Sequence, residues 1–136
     1  MDYLRTYLVR ERIPNSKKVK IDNAADVFEL MKDMQNECQE LMKVICLNTR
    51  HEVVGIAEVS RGTVDHTMVH MRDVFRPAIL ANATNLIMVH NHPSGDPTPS
   101  PDDIRMTYRL RKIGVDIGIP IIDHVIIGDT FMTVDK

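Results

Sequence analysis

The stretch NLIMVHNHPSGDPTPSPDD, from Asn85 to Asp103, decides the fold. Asn85 to His90 is a short apolar run, the length and character of a strand buried in a sheet. It empties into Asn91-His92-Pro93-Ser94-Gly95-Asp96-Pro97, too rich in Pro, Gly and Ser for any regular element. Ser100-Pro101 then opens a helix, with Ser at the N-cap, Pro at the first helical position and Asp103 at the third. Met106, Leu110 and Ile113 give this helix one apolar face, and Gly114 reads as its end. A buried strand, a loop and an amphipathic helix in succession ask for a sheet with helices packed on it.

Further strands lie on both sides. Pro120 to Gly128 and Thr130 to Val134 read as closing strands around a turn at Gly128-Asp129. Met42 to Asn48 reads as a buried strand, with Glu52 to Arg61 as its hairpin partner across Asn48-Thr49-Arg50-His51. Asn23 or Asp22 caps a helix through Val27, Phe28, Leu30, Met31 and Met34, followed by a short helical turn at Glu37–Leu41. A second helix starts at Val69 or His70, and Pro77 inside it implies a kink or a later start. Tyr3 to Arg12 has β character, and Pro14 to Lys20 is a polar connector. The expectation is an N-terminal extension over 1–21 and one domain over 22–136. Its class is mixed α/β (α+β), a sheet flanked by two or three helices.

Composition excludes more than it names. The 136 residues suffice for one core. Seventeen Lys plus Arg against 19 Asp plus Glu leave a net charge of -2, which points to no nucleic-acid partner. No apolar run approaches the roughly 20 residues that span a bilayer, and no signal-peptide core opens the chain. Cys38 and Cys46 form no CxxC pair and read as reduced thiols, which fits the cytoplasm. The nine Met read as adaptable core filling.

Chemistry concentrates at the quoted stretch. His90 and His92 sit at a strand end, and Asp103 lies in the first turn of the following helix, so two imidazoles and a carboxylate can meet. Two neutral nitrogens and one oxygen suit zinc, and three protein ligands leave a fourth position for water, as in catalytic sites. A plainer reading stands beside this one. His-x-His can be a surface pair, and Ser100 with Asp103 fits a capping box that needs no metal. The two are compatible, since the cap would hold the turn that aims Asp103.

His90-x-His92-Pro93, six residues, Ser100, two residues and Asp103 resemble the JAMM signature. The form His-Asn-His-Pro-Ser-Gly-Asp-Pro resembles the RadC family. Gly62-Thr63, Val69-His70, Arg72-Asp73-Val74-Phe75 and Asp123-His124-Val125-Ile126-Ile127-Gly128 agree with it, while Met71 and Asp73 stand where the family often has Pro and Glu. The resemblance implies an MPN/JAMM-like (cytidine-deaminase-like) fold. It implies His90, His92 and Asp103 as zinc ligands, and Ser100 as a hydrogen-bonding partner of the water or the tetrahedral intermediate. It also implies an upstream Glu as general base. Glu58 is the candidate: it sits late on a strand, near Gly62-Thr63, and on alternation it shares a face with Val54 and Ile56. Glu52, nearer the turn, is the weaker alternative.

The remaining charged and His residues have plain readings. Asp96 belongs to a turn, Asp102 to the helix dipole, and His124 to a structural or supporting role. His51, His66 and His70 lack partner spacing. Arg105, Arg109 and Lys112 form one helix face, ordinarily a solvated one. The leading expectation is a zinc hydrolase of the metallopeptidase type, acting on a protein or peptide substrate held by strand addition at a sheet edge. DNA repair or processing, which the family's name suggests, is the alternative, and a metal-binding interaction module is a third. Exposed apolar surface or the N-terminal strand would allow a homodimer.

Overall fold

The computed structural model describes residues 1–62 and 69–134. In chain order it holds helix α1 (Ala24–Leu30), a 3-10 turn (Lys32–Asn36), strands β1 (Glu40–Leu47) and β2 (Val53–Gly62), helix α2 (Met71–Leu80), strand β3 (Asn85–Asn91), helix α3 (Pro101–Ile117), and strands β4 (Ile121–Ile127) and β5 (Phe131–Thr133). The strands form one sheet in the order β2-β1-β3-β4-β5. Among the described strands only β3 and β4 pair in parallel, and α3 connects them. The chain is therefore a mixed α+β domain, a five-stranded mixed sheet flanked by three helices, consistent with a JAB/MPN-like fold.

Both sheet faces are covered, which is why β1 and β3 are apolar almost throughout. On one face Met42, Val44, Cys46, Leu86 and Met88 pack under Val74, Phe75 and Ala78 of α2 and Met106 and Leu110 of α3. On the other, Ile45, Leu47, Ile87, Val89, Val125 and Ile127 pack under Val27, Met31 and Met34. Asn23 caps α1 in a reciprocal box with Asp26. Five methionines, at 31, 34, 42, 88 and 106, are buried filling. Cys46 is buried, Cys38 is exposed, and both are free thiols. No helix among the described residues is long and apolar enough to cross a membrane.

Four expectations need correcting. Tyr3–Arg12 forms no strand. Its apolar residues fall in adjacent groups (Tyr3-Leu4, Tyr7-Leu8-Val9) rather than in alternation, so no single face could be buried. Tyr3, Leu4, Tyr7 and Val9 stay exposed, and Arg10 donates one hydrogen bond to the Val54 carbonyl of β2. Glu37–Leu41 is not a helical turn: the 3-10 turn ends at Asn36, and β1 begins at Glu40. Of the two expectations for Pro77, the later start is overturned: α2 runs from Met71 to Leu80 around it. Gly114 does not end α3. The helix continues to Ile117 and is capped by Gly118 at φ +78°. Gly114 serves close packing instead, because a Cβ there would lie 2.7 Å from the Ile119 carbonyl as the chain turns back into β4.

Candidate metal centre

The ends of three elements converge at one place. β3 delivers His90 at its carboxyl end, and the following loop places His92. α3 supplies Asp103 from its first turn. β1 runs antiparallel to β3, and Met42 lies opposite His90, so the start of β1 meets the end of β3. Glu40, two residues before Met42, shares its sheet face and brings a second carboxylate. One ligand atom from each of Glu40, His90, His92 and Asp103 can be chosen so that all lie within 4.8 Å of one another. Ligand sites in sheets with parallel strands favour this carboxyl end.

The atoms face inward. His90 Nε2 and His92 Nε2 are 3.0 Å apart. The Asp103 carboxylate spans them, with Oδ1 3.3 Å from His90 Nε2 and Oδ2 3.2 Å from His92 Nε2. Glu40 Oε1 lies 3.7 Å from His90 Nε2. His90 and Asp103 are buried, while the Glu40 and His92 side chains keep 17% and 16% exposure. Hydrogen bonding to the Asp103 carboxylate raises the His92 pKa above its ordinary value, against the desolvation that lowers it. Two inward imidazole nitrogens and two carboxylates are the donor set of a divalent cation, and these residues fit one.

Each donor is held from outside. His92 Nδ1–H donates to the Asp96 carbonyl at 2.8 Å, which leaves the Nε2 lone pair directed inward. The Ser100 Oγ accepts from the Asp103 N–H at 3.0 Å, and Asp103 Oδ2 accepts from the Ser100 N–H at 2.9 Å. The capping box and the inward carboxylate are thus one side chain's work. Asn91, the residue between the histidines, accepts from the Leu41 N–H at 2.7 Å and donates to the Gln39 carbonyl at 3.0 Å. It grips the chain on both sides of Glu40. The His92 loop in turn rests on the β4–β5 turn, where Asp129 N–H donates to the Gly95 carbonyl at 2.7 Å and His92 N–H to the Ile127 carbonyl at 2.8 Å. His124 is buried, with its Nε2 2.7 Å from His90 Nδ1.

Glu58 is not brought to this group. It pairs with Lys43, which lies opposite Val89, so its side chain is on the sheet face away from His90. There it meets Arg61 at 2.8 Å, at the exposed end of β2. The alternation argument failed at a bulge. Leu47 pairs with Val53 but Cys46 with Gly55, so Val54 is an extra residue and packs on the α2 face while Ile56 packs on the other. Glu52 sits at the far end of the hairpin, in an ion pair with Lys18. His51 occupies the hairpin turn at φ +60° and His70 precedes α2. Thr63 and His66 lie outside the described residues. Arg105 pairs with Asp102 on the surface of α3.

Glu40 and Asn91 are the residues that the sequence reading missed. The available signal was the alternation of β1 carried backward: Cys46, Val44, Met42 and Glu40 share one face.

The sequence pattern of the RadC-like JAB domain matches residues 21–135. The chain belongs to the RadC-like JAB domain family. A UPF0758 protein of Thermotoga maritima is 46% identical over 118 residues, covering 87% of this chain and 51% of that protein. One from Clostridium beijerinckii is 46% identical over 112 residues, covering 82% of this chain and 49% of that protein. One from Clostridium botulinum (strain Loch Maree) is 46% identical over 116 residues, covering 85% and 51%. The chain thus spans about half the length of the curated relatives it matches. The JAB domain family includes hydrolases, and here it carries a group able to hold a metal ion.

Proposed function

We propose that this JAB domain is a zinc-dependent hydrolase of amide bonds, with His90, His92 and Asp103 as ligands and Glu40 as the proton-transferring base. The observation that carries the reading is the convergence of these four side chains at the end of β3. Two imidazole nitrogens and a carboxylate oxygen, with His90 Nε2 and His92 Nε2 3.0 Å apart, are a usual zinc donor set and support that metal. Bound zinc would lower the pKa of water toward about 7 and polarise a carbonyl oxygen. The partly exposed Glu40 can take a proton at Oε1 and return it to the leaving amine, and Asn91 holds it in place for both. Ser100, its Oγ already accepting from Asp103 N–H, retains a hydroxyl proton to donate to the oxygen that becomes negative. The substrate is an extended peptide added to the edge strand β2, whose Gly62 end lies opposite Glu40.

Metal analysis of the purified protein, followed by a screen of peptide and isopeptide substrates, tests this. About one zinc per chain is expected. Glu40→Gln should keep the zinc and lose about 10²- to 10⁴-fold in turnover. Glu58→Gln should keep both. A Glu40→Gln protein with full activity, or a wild type that binds no zinc, overturns the assignment.

A further inference from the structure

Behind His90 runs a buried chain of hydrogen bonds on which the proposed hydrolysis makes no demand. His90 Nδ1 and His124 Nε2 are 2.7 Å apart, His124 Nδ1 and Thr107 Oγ1 2.5 Å, and Thr107 Oγ1 and the Asp103 carbonyl 2.6 Å. His90, His124 and Thr107 are all at most 1% exposed. The chain starts at one ligand and ends on the backbone of another.

Its direction follows from its last member. A carbonyl oxygen can only accept, so the Thr107 hydroxyl spends its one proton on Asp103. The Thr107 oxygen must then accept from His124 Nδ1–H. A neutral His124 with its proton on Nδ1 has a lone pair on Nε2, which accepts from His90 Nδ1–H. His90 is left with a lone pair on Nε2, the atom that faces His92, Asp103 and Glu40. We infer that Thr107 and His124 are positioning residues that fix the tautomer of His90, so that its Nε2 is permanently offered to a metal. The inference rests on the metal-site reading above. Here a threonine on α3 and a second histidine on β4 do the orienting that a carboxylate or a carbonyl does for other metal-bound imidazoles. Asp103 is also tied in, since its carboxylate and its carbonyl lie at the two ends of the network.

Two measurements on the full chain test it. The first is zinc affinity, read by competition with a chromophoric chelator. His124→Leu and Thr107→Val should bind zinc about 10- to 100-fold more weakly. Thr107→Ser, which keeps the hydroxyl, and His124→Gln, which can place an acceptor near Nε2, should stay within about threefold. Affinity in His124→Leu and Thr107→Val equal to wild type overturns the inference. The second is the imidazole nitrogen NMR spectrum of metal-free protein at about pH 8, where unperturbed rings are neutral. His90 should carry its proton on Nδ1 in the wild type and in Thr107→Ser, and lose that preference in Thr107→Val. A metal-free wild type with His90 protonated on Nε2 overturns it even if both variants weaken binding. If the wild type binds no zinc, the metal reading fails, while the spectrum still decides the tautomer.

Discussion

Asp103 completes the capping box of α3 and points its carboxylate at two imidazoles, and two substitutions together separate these roles. Asp103→Asn keeps an oxygen for the Ser100 N–H and removes the charge, whereas Asp103→Ala removes both. Both should lose the metal, and the alanine variant should be about 1 kcal/mol less stable to denaturant than the asparagine one. Tight zinc binding by Asp103→Asn would contradict the role given to its charge. The two cysteines offer a second contrast. Burial pushes the Cys46 thiol up to about 11. Iodoacetamide should therefore label the exposed Cys38 and spare Cys46 in the folded protein. The sign of the linkage follows. Cys46 stays neutral when folded and ionises near 9.0 when unfolded, so its contribution is full below that pH and is lost as pH rises toward about 11. The stability of Cys46→Ala should fall less steeply across that window.

Loop contacts set the precision of the site. A Cβ on Gly128 would lie 2.3 Å from the Gly95 carbonyl, closer than side-chain movement can relieve. Gly128→Ala should therefore lower the melting temperature and weaken metal binding, because the displaced loop carries the Asp96 carbonyl that orients His92. Gly118→Ala is the control. Its φ of +78° makes alanine destabilising by about 1 kcal/mol, but open space surrounds it and the metal site should be unaffected. Equal metal affinity in Gly128→Ala and the wild type would separate the loop from the site. The elements that could be read from sequence were those with a local cause. β3 and β4 are apolar runs, and α3 declares its start with Ser100-Pro101 and an acid at the third position. Three features had non-local causes. Gly114 is set by the returning chain, the bulge at Val54 by the pairing of β2 with β1, and the start of β1 at Glu40 by Asn91 from a strand far along the sequence. Each therefore escaped a window-by-window reading. The same is true of the site: His90, His92 and Asp103 belong to one contiguous motif and could be read from it, while the fourth member, Glu40, arrives through sheet topology.

At the scale of the molecule, regular structure and burial begin near residue 20. Ile21 is buried and Lys20 bridges to Glu52, whereas residues 1–18 are exposed and carry no helix or strand. Brief trypsin treatment should cut after Arg5, Arg10, Arg12, Lys17 and Lys18 and leave a fragment from about residue 19 onward with an unchanged melting temperature. A melting temperature that drops with the first cut would show that this segment supports the sheet. The fold needs no such help, since each sheet face has its own helical cover.

The convergence of Glu40, His90 and Asp103 has a topological side. These residues begin β1, end β3 and begin α3, so the chain leaves the site and returns to it twice. A cation held by His90, His92 and Asp103, with the Glu40 carboxylate drawn to its charge, would act as a removable cross-link, closing the short loop directly and the long one through Glu40. Its hold on the unfolded chain would be weak, because gathering those residues costs the entropy of both closures. Binding and folding free energy are then partly the same quantity. The metal would be retained while the sheet persists and released as one event when the sheet opens.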